Sequence, residues 1–378
     1  MRMLAKVISA VAVASAAVTL SAGVAAADPP SGTVPKLTDV VGVGSNTTES
    51  MLDQLSLNYN GAHKTGARIY SFDALANAAA TTSANVTLKA GCKALPRPNG
   101  SSAGITDLST TQSVSGHNCI NFARSSRAPK STDPTNVTFV PLALDNVTYA
   151  SITKGSNAPT NLTTAQLHSI YTCSATKWTQ VGGKSSATIH PLLPQANSGT
   201  LAFFESAIGI ATSGPGKCVS EPATLEENEG VDPIYTGANA ANEIVPFSAG
   251  KWDAQAFHSA ACKFTTCGTD KSGVNINCKT PTKTQNKFGC DVNGVLKLND
   301  INGTAPTTGK GTSTVLNPKF TKIFVRTLYD VVKATKSIPS TLTPFFGPKG
   351  FFCSKTEDSV ITNYGFEHDS DCGGIVAG

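Results

Sequence analysis

Charged side chains are scarce in this chain, 15% of its 378 residues, and the formal net charge is +5 at pH 7. Residues 1–27 hold Arg2 and Lys6 and no acid, so the rest of the chain carries +3. A field that mild excludes nucleic acid as the natural partner. The one G-x-S-x-G string, Gly100-Ser101-Ser102-Ala103-Gly104, reads as a turn and helix cap rather than a nucleophile elbow. No carboxylate is placed to orient His190 toward the nearby Ser198, so a hydrolase reading has little to stand on and no enzyme is expected. Cys262, Cys267, Cys278 and Cys290 follow one another at five, eleven and twelve residues and lack the close ligand pairs of a zinc ribbon, so neither metal nor cofactor is expected. No cysteine lies near residue 27, which removes the lipid-modified cysteine that would tether an exported chain to a membrane.

What the chain does have begins with a leader. Arg2 and Lys6 precede a long run of Ala, Val, Ser and Thr that ends in Ala25, Ala26 and Ala27, the pattern of a cleaved signal peptide. The expected product is secreted, extracellular or periplasmic, without a lipid anchor. The 351 residues that remain can bury a large core, and single cores stop growing at roughly 250–300 residues, so two lobes are expected. All ten cysteines follow the leader, and in an oxidising compartment an even count reads as disulfides. Proximity suggests Cys92 with Cys119, Cys173 with Cys218 and Cys353 with Cys372. Cys262, Cys267, Cys278 and Cys290 leave three possible pairings, in a Thr-, Lys- and Asn-rich stretch of about 262–312 that reads as a disulfide-pinned insertion.

The informative stretch is QANSGTLAFFE, residues 195–205. Ser198 and Thr200 are N-cap residue types, Gly199 permits close approach of backbone, and Leu201, Phe203 and Phe204 supply the buried stripe of a helix. The first-turn amides of a helix lack internal partners and carry the positive end of its dipole, so this start is a candidate anion cradle. The same strand–turn–helix grammar occurs earlier. Residues 39–44 read as a strand ended by glycine, followed by the cap residues Ser45, Asn46, Thr47 and Thr48 and by Met51, Leu52, Leu55 and Tyr59 at helical spacing. Residues 86–88 read as a strand leading to a turn and cap at 99–102. Residues 119–123 read as a strand that breaks into Arg124 and Arg127, 137–150 as a long central strand crossing between lobes, 163–171 as a capped helix, 188–193 and 243–247 as strands. A helix ending at 226–230, one at 252–261 and a packed helix over 319–332 complete the reading, and the aromatic residues 345–352 are expected to pack within a lobe.

These units in this order resemble the phosphate-binding solute receptors of ABC transporters. The motifs are Gly42-Val43-Gly44-Ser45-Asn46-Thr47 at the first helix, Gly100-Ser101-Ser102-Ala103-Gly104 at the second, Asn121-Phe122-Ala123-Arg124-Ser125 at a strand end, and Ser198-Gly199-Thr200 at the phosphate turn. The resemblance spans roughly residues 38–260. It implies an α/β, two-lobed class II periplasmic-binding-protein fold, with mixed sheets flanked by helices. It implies a small, phosphate-like oxyanion held by Asn46, Thr47, Ser101, Asn121, Ser198, Gly199 and Thr200, and a membrane permease as partner. Two positions depart from the family. Its clamp arginine falls on Pro194 and its proton-accepting carboxylate on Asn121, which leaves Arg124 or Arg127 to supply charge and Gln195 to donate in the arginine's place.

The organisation expected is a leader over 1–27, lobe I over 28–143 and 245–378, and lobe II over 144–244, in a monomer. The function expected is capture of phosphate or a similar oxyanion for uptake. The alternative is an extracellular interaction or adhesion protein that kept the fold without transport.

Overall fold

The computed structural model describes residues 28–29, 33–74, 85–230, 232–258 and 295–376. The expected leader and the cysteines at 262, 267, 278 and 290 lie outside the described residues.

Strand β1 (Val40–Gly44) is buried at all five positions, as a β-branched run can be when both faces of its sheet are covered. After the turn at residues 45–48 comes α1 (Glu49–Ala62), which buries Met51, Leu52 and Leu55 at helical spacing. The chain continues through β2 (Ile69–Ser71), α2 (Ser101–Ser109), β3 (Phe122–Ser125) and β4 (Thr138–Ile152). It then forms α3 (Thr164–Tyr171), β5 (His190–Pro191), α4 (Gly199–Ala207) and β6 (Glu243–Ser248). Farther along come α5 (Ala249–Asp253), β7 (Leu296–Leu298), β8 (Val325–Val332) and β9 (Glu367–His368).

The nine strands form one mixed sheet in the order β5-β6-β4-β8-β3-β1-β2, with β7 and β9 also pairing to β4. Fifteen residues long, β4 spans about 50 Å at roughly 3.3 Å per residue, enough to serve two cores in succession. Its first half contributes Phe139, Val140, Leu142 and Ala143 to clusters built with α1, α2 and β1. Its second half contributes Val147, Tyr149 and Ala150 to clusters built with α3, α4 and β6. The result is the mixed α/β, two-lobed architecture expected, with β4 and β8 running through both lobes.

Residues 319–332 correct the helix expected there: a 3₁₀ turn at Lys322–Phe324 leads into β8, antiparallel to both β4 and β3. Its apolar residues fit a period of two as well as a helical one. Leu328 and Val332 enter one core, while Tyr329 and Val331 enter another on the opposite face. Arg326 and Asp330, which imitate the polar stripe of a helix, are both buried inside the sheet. Residues 226–230 are likewise turn rather than the end of a helix. Helix α5 begins at Ala249, three residues ahead of the expected start, and passes into a π turn at Ala254–His258.

Three disulfides follow the pairings suggested by proximity, Cys92–Cys119, Cys173–Cys218 and Cys353–Cys372, with Cα separations of 6.0, 5.8 and 5.6 Å. Phe345, Phe346 and Phe352 are buried in the cluster that also holds α1 and Phe122. Helix α3 opens with a reciprocal box: Thr163 accepts from the Gln166 N–H at 3.2 Å, and Gln166 accepts from the Thr163 N–H at 2.8 Å. Thr163→Ala is therefore expected to cost about 1 kcal/mol, read as a lower urea midpoint at an unchanged slope.

Candidate functional site

Three helix starts meet at one buried point. Gly44 ends β1 at φ 114°, which favours glycine there, and a Cβ on Gly104 would lie 2.7 Å from the Gly44 Cα, so α2 can approach the strand end this closely only with glycine at 104. The N-terminus of α4 approaches from the other lobe. The Ser102 N–H donates to the Asn197 carbonyl at 3.1 Å, and Gly199 sits so close to the hydroxyls of Ser101 and Ser126 that a Cβ would overlap both. The turn before α1 closes the ring, with Thr47 Oγ1 3.4 Å from Thr200 Oγ1.

A carboxylate occupies the centre of this ring, and it belongs to the chain itself. Glu227 has no exposed surface. Its Oε1 accepts from Ser45 Oγ at 3.2 Å, from the Thr47 N–H at 3.3 Å and from Thr47 Oγ1 at 3.0 Å. Its Oε2 accepts from the Thr200 N–H at 2.9 Å and from the Ser198 hydroxyl. Ser198 also caps α4, its hydroxyl accepting from the Leu201 N–H at 3.0 Å. All five donors are neutral, and they come from both lobes. Hydrogen bonds of this kind offset the cost of taking a carboxylate out of water.

The loop that carries Glu227 is fastened on both sides. Its N–H donates to Gln195 Oε1 at 2.8 Å, and Gln195 Nε2 donates to Asn99 Oδ1 at 3.3 Å. Asn228, at φ 62° in the left-handed region that asparagine tolerates, donates to Thr47 Oγ1 at 3.0 Å and accepts from the Ser248 N–H at 2.9 Å. Behind the ring stands Arg326. Its Nη1 donates to Thr200 Oγ1 at 3.0 Å and to the Ser126 carbonyl at 2.9 Å, while Nε and Nη2 donate to Asp145 Oδ2 at 3.0 and 2.8 Å. The guanidinium is thus neutralised by Asp145 and reaches the ring through a hydroxyl.

A family model for the PBP superfamily domain matches residues 24–274. The chain belongs to the PBP superfamily. Among solved structures it is similar to an ABC-type phosphate transport receptor from Vibrio cholerae, at 18% identity and a TM-score of 0.51, covering 87% of this chain and 99% of that one. It is also similar to a putative phosphate ABC transporter substrate-binding protein with bound phosphate from Clostridium perfringens, at 14% identity and a TM-score of 0.52, covering 88% of this chain and 100% of that one. At such identities the likeness is one of fold. No protein of curated function matches the chain.

Within this PBP-superfamily chain the residues singled out in the sequence divide by position. Thr47, Ser198 and Thr200 touch the Glu227 carboxylate. Ser101 and Gly199 stand just behind it: Ser101 Oγ accepts from the Ser126 N–H at 3.0 Å, and Ser126 Oγ is 3.0 Å from Ser45 Oγ. Asn46 is buried beside the ring. Its carbonyl accepts from Lys251 Nζ at 3.5 Å, and its Oδ1 has no hydrogen-bond partner.

Asn121 is not brought to the ring. Its Oδ1 accepts from the Val41 N–H and from Lys89 Nζ, three residues back from the strand end and so about 10 Å away along β1. Burial lowers the Lys89 ammonium to about 8, despite Asp39 nearby. Neither Arg124 nor Arg127 supplies charge to the ring. Arg124 is buried against the Gly44 and Ser45 carbonyls, Ser71, Phe72 and Glu49, and Arg127 makes a paired contact with Asp133 at 2.8 and 2.7 Å. Gln195, expected as a donor to ligand, holds the Glu227 loop instead. The residues that sequence reasoning missed are Ser45, Ser126, Asn228 and above all Glu227 and Arg326. The signals were present: three carboxylates in Glu226-Glu227-Asn228-Glu229 within a chain poor in charge, and one arginine inside a β-branched run.

Proposed function

We propose that this protein binds a small oxyanion of the phosphate class in the crevice between its lobes and is not an enzyme. One observation carries the reading: two lobes supply five neutral donors, two of them first-turn amides or their neighbours, to a single fully buried carboxylate, which is the coordination a dehydrated oxyanion requires. The phosphate bound by the similar Clostridium perfringens protein supports the ligand class. A hydrolytic role for Ser198 is disfavoured, because its hydroxyl is engaged by Glu227 and the Leu201 N–H rather than by a histidine.

In this reading lobe I comprises residues 28–143 and the C-terminal part from Leu328 on, and lobe II comprises 144–248 together with residues 296–324, which pack into its cores rather than into lobe I as expected, with the crossings in β4 and β8. The product is secreted as a monomer and hands its anion to a membrane permease. A second reading, an extracellular interaction protein that kept the fold without transport, is favoured by the carboxylate already seated in the ring.

Equilibrium dialysis against inorganic phosphate, sulfate and a phosphate ester tests the site. Ser198→Ala combined with Thr200→Ala is expected to weaken binding about tenfold to a hundredfold, since the Ser198 hydroxyl is a hydrogen bond to a charged group contributing roughly 1.5–3 kcal/mol, while the Thr200 donor is its backbone N–H and survives the substitution. Arg127→Ala is expected to leave binding within about threefold, because an arginine paired elsewhere adds little across that distance. Equal losses in the two variants would remove the ring as the ligand site.

A further inference from the structure

We infer that Glu227 is a built-in occupant of the anion cradle, a tethered carboxylate that latches the two lobes together and that an external oxyanion must displace. The inference rests on the oxyanion reading above and specifies how that site is regulated.

Four facts support displacement rather than coexistence. Both oxygens of Glu227 are taken up by donors, Oε1 by Ser45 and Thr47 of one lobe, Oε2 by Ser198 and Thr200 of the other. An incoming anion would have to use the same donors. Of the buried cations around the ring, Arg326 is already neutralised by Asp145 and Arg124 lies against Glu49, so a second negative charge beside Glu227 would meet repulsion in a site shielded from water. The space between the helix starts is closed, with Thr47 and Thr200 hydroxyls 3.4 Å apart and Gly199 against Ser101 and Ser126.

The fourth fact is the tether. Glu226, the preceding residue, accepts from Asn99 Nδ2 at 3.0 and 3.1 Å, and Asn228, the following one, reaches Thr47. The loop therefore crosses the crevice and fixes the carboxylate at a high local concentration without any ligand in solution. Apparent affinity for an external anion is reduced by the fraction of molecules in which the cradle is free. Removing the carboxylate removes that reduction and releases the latch.

The test compares wild type with Glu227→Ala and Glu227→Gln, the second keeping the side-chain shape should the first fold poorly. Calorimetry with inorganic phosphate is expected to show binding about tenfold or more tighter in Glu227→Ala than in wild type. Small-angle scattering without phosphate is expected to show a larger radius of gyration for Glu227→Ala, returning toward the wild-type value when phosphate is added, while wild type changes little. Equal affinities would overturn the inference and leave the oxyanion reading intact. Weaker binding in both variants would also overturn it, since Glu227 would then be a group that receives the ligand. If no protein binds phosphate, sulfate or an ester, the oxyanion reading falls and scattering alone decides: expansion of the variants upholds the latch, and unchanged radii overturn it.

Discussion

Arg326→Ala is expected to destabilise the protein by about 3–5 kcal/mol, among the largest losses available to a single substitution outside the apolar cores. Arg326 faces Asp145 directly across the β8–β4 pairing, and both side chains are almost wholly buried. Truncation leaves Asp145 with the Gly250 N–H at 3.0 Å as its remaining hydrogen bond among the described residues, a buried carboxylate without its counter-ion. It also orphans the Ser126 carbonyl and frees the Thr200 hydroxyl, both held by Nη1. Arg326→Lys keeps a charge but loses the fork that serves three partners at once, so it is expected to recover little of the loss. Replacing both residues, Arg326→Met with Asp145→Leu, is expected to restore most of it, because the cost lies in the unpaired charge rather than in the pair itself. Urea denaturation of wild type, Arg326→Met, Asp145→Leu and the double variant supplies the cycle. A loss below about 1 kcal/mol for Arg326→Ala would show that Asp145 is solvated or otherwise compensated.

The position of Arg326 explains what could be read from the chain and what could not. Helix starts are written locally. Ser198 before Leu201, Thr163 before Gln166 and the glycines of residues 42–44 and 100–104 announce themselves within a few residues, and each lies where the spacing puts it. The convergence of those starts is not local, and it came into view through family resemblance rather than periodicity. Glu227 reaches Thr47 across 180 residues of sequence, and Arg326 reaches Thr200 across 126. No pattern of neighbours encodes such contacts. In both cases the polar residue was absorbed into a plausible local element, a helix end for Glu227 and the polar stripe of a helix for Arg326. Pro194 shows the complementary error: with no cation at the fixed offset from Ser198, the charge was assigned to Arg124 or Arg127, although β8 brings Arg326 to the ring from the far side of the fold.

Stability is expected to fall as pH rises from about 4 to 8, and Asp330→Asn is expected to remove much of that fall. Asp330 lies inside β8 and is 1% exposed, with no hydrogen-bond partner on its Oδ1. Burial raises its pKa from 3.8 to about 8, only partly opposed by Arg124. Asp53, within α1, and Asp73 are raised well above the usual carboxylate range as well, by burial first and then by the negative charge of Glu49. A carboxyl whose folded pKa lies above its unfolded one contributes full stability below the unfolded value and loses it as pH rises through the folded value. Between 3.8 and about 8 the unfolded chain has released the Asp330 proton while the folded chain retains it, at a slope of about 1.4 kcal/mol per pH unit. Lys89 has the opposite sign, with its pKa lowered to about 8, and its contribution changes above that value, outside this window. Asparagine keeps the shape of the protonated acid and has nothing to ionise. The variant should therefore match wild type near pH 4 and exceed it by several kcal/mol at pH 8, where the difference in urea midpoints is widest. Parallel curves for the two proteins across that range would mean that Asp330 ionises in the folded state as readily as it does in the unfolded one.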